Sequence, residues 1–97
     1  MRNTQNTKSW RYFVVMRDFG NLGREAIVDP QHTASNIVDL IATKEWPAES
    51  IIFIHVIQDG ICADVTEDFL GWAETAAEGA NPIIQIGDHA PEKLELA

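Results

Sequence analysis

His55, Asp64 and Cys62 are the residues of this chain whose types could work together. A carboxylate can orient an imidazole, and an imidazole can take the proton of a thiol. A local signal brings them near one another. Asp59-Gly60 separates two apolar, β-rich runs, 51–57 and 61–65. That dipeptide predicts a two-residue type I′ hairpin, because both loop positions need φ > 0. The register then pairs Gln58 with Ile61, Ile57 with Cys62, Val56 with Ala63 and His55 with Asp64. Side chains alternate across a strand. Ile52, Ile54, Val56, Ile61, Ala63 and Val65 share the face expected to be core. Ile51, Phe53, His55, Ile57, Cys62 and Asp64 share the other.

Catalysis would need more than this. Diagonal cross-strand residues stand about 7–8 Å apart. A flat sheet face also lacks the helix N-terminus or oxyanion donors that an activated thiol uses. The pattern favours a cross-strand His55–Asp64 pair with Cys62 as a small hydrophobe, so no catalytic residue is assigned. His32 and His89 have no metal-ligand partners at helical spacing, and no Gly-rich phosphate loop or dinucleotide fingerprint occurs. Neither a metal nor a cofactor is expected. Asp18-Phe19-Gly20 matches the kinase magnesium tripeptide but nothing else of that machinery, and reads as the start of a turn.

The elements around the hairpin follow from periodicity. The segment 10–19 reads as the first strand, with Tyr12, Val14 and Met16 on one face and Arg11, Phe13, Val15 and Arg17 on the other. The two arginines mark the second set as the face opposite the core. Residues 20–23 turn the chain and 24–28 return as a second strand. Thr33 is the expected N-cap of a helix to about Lys44, with Ala34, Ile37, Val38 and Ile41 as its apolar stripe. Trp46-Pro47 is its expected stop, with Trp46 folding back on the core. Thr66 is the expected N-cap of a second helix, with Glu67 and Asp68 in its first turn. Phe69, Trp72, Ala73, Ala76 and Ala77 give its buried stripe, and Gly79 ends it. Residues 83–86 read as a short edge strand or an exchanged arm.

The fold expected is an α+β two-layer sandwich, ββαββα, with a four-stranded antiparallel sheet in the order 2-1-3-4 and both helices on one face. The single domain spans 10–86, between flexible tails at 1–9 and 87–97. The open face would carry Arg11, Phe13, Val15, Arg17, Phe53, His55, Ile57, Cys62 and Asp64. Apolar groups in such a setting mark an association surface.

Composition narrows the function classes. The 97 residues carry a formal net charge of −8 and one cysteine. Arg2, Lys8, Arg11, Arg17 and Arg24 face one acid, Asp18, before residue 25, and no basic residue lies between Lys44 and Lys93. An acidic field opposes direct nucleic-acid or anionic-membrane binding. One cysteine excludes an internal disulfide and suits a reducing, cytoplasmic setting. No apolar run approaches the length of a membrane span. A core this small is marginal alone, and oligomerisation is a common remedy. The reading is a non-catalytic interaction or regulatory protein, a homodimer through the open face, with a possible basic protein partner. One alternative is an acidic nucleic-acid mimic presenting Glu67, Asp68, Glu74 and Glu78 to a basic groove. The other is small-ligand binding or a minor enzymatic role through His55, Asp64 and Cys62.

Overall fold

A computed structural model describes residues 11–86. The expected tails 1–9 and 87–97, and Trp10, lie outside the described residues. Two hairpins, each followed by a helix, build the domain: β1 (Arg11–Asp18), β2 (Arg24–Val28), α1 (Ala34–Ala42), β3 (Ile51–Gln58), β4 (Ile61–Asp64) and α2 (Thr66–Ala77). The sheet order is β2-β1-β3-β4, and every neighbouring pair is antiparallel. This is the α+β arrangement expected from the sequence. The two long apolar strands, β1 and β3, take the centre, where pairing on both sides satisfies their backbone groups.

The Asp59-Gly60 turn has the geometry its residues demand. Asp59 has φ 54° and Gly60 φ 82°. The ladder it sets pairs Gln58 with Ile61, Ile57 with Cys62, Val56 with Ala63 and His55 with Asp64, as expected. Both helices pack on one side of the sheet. Phe13 and Val15 of β1, Ile54 and Val56 of β3, Ile37, Val38 and Ile41 of α1, and Phe69 and Ala73 of α2 form one buried cluster. Phe13 and Phe69 meet edge to face with ring centroids 5.4 Å apart.

That cluster corrects the assignment of faces on β1. Phe13 and Val15 are core residues, exposed by only 3% and 1%. They pair with Val56 and Ile54, while Tyr12, Val14 and Met16 pair with Ile57, His55 and Phe53. The arginines misled because they lie at the strand's two ends. Long basic side chains can cover apolar surface with their stems and keep their heads at the rim. Arg17 does this: its guanidinium lies 4.6 Å from the Phe19 ring centroid and 5.5 Å from that of Trp46. Its Nε donates to Ser50 Oγ at 3.2 Å.

A bulge explains two further departures. Met16 pairs with Phe53 but Arg17 pairs with Ile51, so Ile52 has no partner on β1. Such an extra residue bends the strand and breaks strict alternation. Ile51 packs against the core, whereas Ile52 is 41% exposed. Ile61, also expected inside, is 38% exposed beside the turn.

The helix ends differ by small amounts with clear causes. Thr33 does cap α1: its hydroxyl accepts from Asn36 N–H at 3.1 Å, and the Asn36 side chain accepts from Thr33 N–H at 3.2 Å. The helix closes at Ala42, before Trp46-Pro47, because Lys44 enters the left-handed region (φ 69°). Trp46 N–H then bonds to Leu40 O at 2.9 Å, and its ring packs on the core as expected. Thr66 is the first residue of α2 rather than its N-cap. Residues 83–85 form neither strand nor helix. Ile84 and Ile86 pack on the core, whereas Ile83 is 75% exposed.

Candidate functional site

Among the described residues, nothing covers the sheet face away from the helices, and the strand pairings define its rows. Val28, Val14, His55 and Asp64 make one row across all four strands. Tyr12, Ile57 and Cys62 make the next, on the hairpin-turn side. Ala26, Met16 and Phe53 make the row on the opposite side, and Arg24 and Asp18 close the far end. Of the residues expected here, Phe53, His55, Ile57, Cys62 and Asp64 belong. Arg11, Phe13, Val15 and Arg17 do not, since alternation puts them on the helix-covered side. Tyr12, Val14, Met16, Ala26 and Val28 replace them. Strand periodicity carried no signal for this choice, because Tyr12, Val14 and Met16 are as apolar a set as Phe13 and Val15.

The substitution makes the face more apolar. Its centre is Tyr12, Val14 and Met16 beside Phe53 and Ile57, all half-buried. Val28 adds an edge group at 49% exposure. Charge is confined to the Arg24 and Asp18 end and to Asp64 at the β4 edge. Glu67, Asp68 and Glu74 on α2, and Glu78 at its C-cap, are all exposed in the helical layer.

His55 and Cys62 come closer than their diagonal register alone suggests, and Asp64 stands directly opposite His55. Cys62 Sγ lies 3.7 Å from His55 Nδ1. On the other side of the ring, His55 Nε2 lies 4.0 Å from Asp64 Oδ2. Phe53 stacks on the imidazole at a centroid distance of 4.0 Å and an interplanar angle of 23°. The ring is thus held on its face and contacted at both nitrogens.

Asp64 is fixed from below by Thr66. Its Oδ1 accepts the Thr66 backbone N–H at 2.9 Å and also the Thr66 hydroxyl. The hydroxyl bond first, then the backbone bond, hold the Asp64 carboxyl below its ordinary value of 3.8; partial burial opposes them and the charge of His55 adds to the lowering. Thr66 was visible in the sequence only as a helix start, so its link to the site emerges from the fold.

The geometry is not that of an enclosed nucleophile. The His55 side chain is 32% exposed and that of Asp64 65%. An apolar cleft of about 290 Å³ lies between the helices, lined by Ile41, Leu70, Ala73 and Ala77 among others, on the opposite layer from Cys62. Among the described residues, no helix is long and apolar enough to cross a membrane. In comparisons with known proteins, no family model matches the chain, and no curated protein or solved structure matches it significantly.

Proposed function

We propose that the chain is a non-catalytic interaction protein that pairs with a second copy of itself through the open sheet face. The observation that carries this is the uncovered apolar centre of that face: Tyr12, Val14, Met16, Phe53 and Ile57 on the two middle strands. An apolar surface with charge only at its rim suits association rather than solvation.

Two physical arguments favour a second copy as the occupant. The first is size. Four strands about 4.8 Å apart, four to eight residues long at about 3.4 Å per residue, make a face of about 400 Å² in outline. Two such faces reach the lower end of specific interfaces once side-chain relief is added, near about 1,000 Å². That size fits a reversible dimer of modest affinity. The second is charge. Face-to-face pairing puts the acids of α2 on the outer sides of the two molecules. They are then separated by both sheets and both helical layers, well beyond the Debye length of about 8 Å in physiological salt. A helix-to-helix dimer would bring Glu67, Asp68, Glu74 and Glu78 of the two copies together.

Sedimentation equilibrium of the metal-free, reduced chain tests this reading. The expected result is a concentration-dependent monomer–dimer equilibrium, with the dimer lost when Val14 is replaced by lysine. A chain that stays monomeric to the highest concentration overturns it.

A further inference from the structure

We propose that His55 and Cys62 form half of a metal site, completed by the same two residues of a second copy, that takes one zinc-like divalent cation per dimer. The proposal rests on the face-to-face association described above.

The first support is the distance between the two donors. Zinc binds thiolate sulfur at about 2.3 Å and imidazole nitrogen at about 2.0–2.1 Å, in tetrahedral array. Those bonds place a sulfur and a nitrogen ligand about 3.5 Å from each other. Cys62 Sγ and His55 Nδ1 stand 3.7 Å apart. The pair therefore stands at close to the separation that one ion requires, and needs only its side chains turned towards it.

The second support is the surroundings of the imidazole. Metal-bound histidine commonly gives its other N–H to a carboxylate, which fixes the tautomer and raises the ring's basicity. Asp64 Oδ2 stands beside that nitrogen, 4.0 Å from His55 Nε2, so a small closing movement would make the bond. Asp64 is itself steadied by Thr66, and Phe53 fixes the plane of the ring. Asp64 faces the nitrogen away from Cys62, so it orients the ligand and does not join it.

The third support is incompleteness. Among the described residues, no group of three or more His, Cys, Asp or Glu side chains could hold a metal ion. Two donors on an open surface leave two tetrahedral positions to be filled from outside. A twofold axis running across the strands, between the His55 row and the Cys62 row, fills them. It lays each sheet over its twin with all four strands overlapped. It sets Val14 of one copy against Tyr12 of the other, His55 against Ile57 and Asp64 against Cys62, and the diagonal His55–Cys62 pair, which straddles the axis, meets its own image there. Facing sheets pack about 10 Å apart, so an ion midway lies within reach of side chains from both. The four donors are two thiolates and two imidazoles, a set that selects zinc over magnesium or calcium.

Binding is a ligand exchange without redox change. Each Cys62 thiol loses its proton to solvent as its sulfur bonds to the cation. Each His55 binds through the Nδ1 lone pair and keeps its proton on Nε2. Two protons are released per ion, so affinity rises with pH.

The test uses the full chain, reduced with a phosphine and stripped with a chelator, then titrated with zinc or cobalt(II). Native mass spectrometry should show one ion per two chains. Sedimentation should shift toward dimer at concentrations where the metal-free chain is mostly monomer. The cobalt form should show tetrahedral ligand-field bands and thiolate charge transfer. Cys62→Ser and His55→Gln, with folding checked by circular dichroism, should each abolish these signals. Asp64→Asn should weaken metal affinity about 10–100-fold. One ion per monomer, a cobalt spectrum without thiolate bands, or binding unaffected by Cys62→Ser overturns the metal site. A metal-free dimer that takes up no zinc also overturns it, while leaving the association face intact. A metal-free monomer at every concentration that zinc converts to a Cys62-dependent dimer supports the metal site and overturns association by apolar contact alone.

Discussion

The hydroxyl of Thr66 accepts the backbone N–H of Ile54 at 2.8 Å, across twelve residues of sequence. Val65 N–H completes the link by donating to Ile54 O at 2.9 Å. A side chain thus continues the β3–β4 pairing where β4 has ended and α2 begins. Ile54 is fully buried, so its N–H has no recourse to water. The same hydroxyl donates to Asp64, so one residue couples the core strand, the helix start and the edge of the open face.

Thr66→Val keeps the shape and removes the hydroxyl. It should destabilise the fold by about 1–3 kcal/mol, the usual cost of leaving a buried partner unsatisfied. Thr66→Ser should recover most of that loss. Urea denaturation of the three proteins, compared at equal slope, checks this.

Asp64 sets the direction of one pH effect. Its carboxyl is held below its ordinary value of 3.8 by Thr66. A group whose folded pKa is depressed contributes its full stability above the unfolded pKa. It loses that contribution as pH falls through the folded pKa. Stability should therefore drop below about pH 4, and Asp64→Asn should flatten that acid limb. Urea midpoints measured from neutral pH to pH 2 for both proteins read the difference. An identical acid limb in Asp64→Asn would contradict the assignment.

Two backbone positions should respond in the stabilising direction. Gly71 lies inside α2 with an ordinary φ, and a Cβ built there meets nothing within 4 Å. Gly71→Ala should raise stability by about 0.5–1 kcal/mol. Lys44 holds a left-handed φ of 69° at the end of α1. Lys44→Gly removes a strain of about 1–2 kcal/mol and restores part of it as unfolded-chain entropy. A net gain of about 0.5–1 kcal/mol is expected on those terms. Thermal or chemical denaturation of each variant gives the answer.

Val14 and Val15 are neighbours with opposite surroundings. Val15 is 1% exposed in the core, and Val14 lies on the open face beside His55. Val15→Lys should prevent folding, since it buries a charge without a partner. Val14→Lys should leave the circular dichroism spectrum intact and abolish self-association. Equal loss of fold in both variants would mean that the faces of β1 are misassigned.

Much of the fold was legible in the residues because the signals were local. Asp59-Gly60 specified a turn needing positive φ twice, and the turn specified the β3–β4 register down to His55 opposite Asp64. Thr33 announced the start of α1 as its N-cap, while the return bond from Asn36 appeared only in the fold. The apolar content of β1 and β3 placed them in the middle of the sheet. The candidate site was legible only on the β3–β4 side, where that register applied.

The tertiary structure alone decided which face of β1 would be covered. Alternation divides a strand into two sets, but only packing against α1 and α2 chooses between them. That choice buried Phe13 and Val15 and sent Tyr12, Val14 and Met16 to the open face. The bulge at Ile52, where β1 and β3 lose step, likewise depends on two strands more than thirty residues apart. So does the role of Thr66, whose helix-start signal was plain but whose bond to Ile54 needs the hairpin folded. The sequence determined that His55, Asp64 and Cys62 share a face. Their side-chain geometry, with Sγ 3.7 Å from Nδ1, was settled by stacking on Phe53 and by the Thr66 bonds that position Asp64.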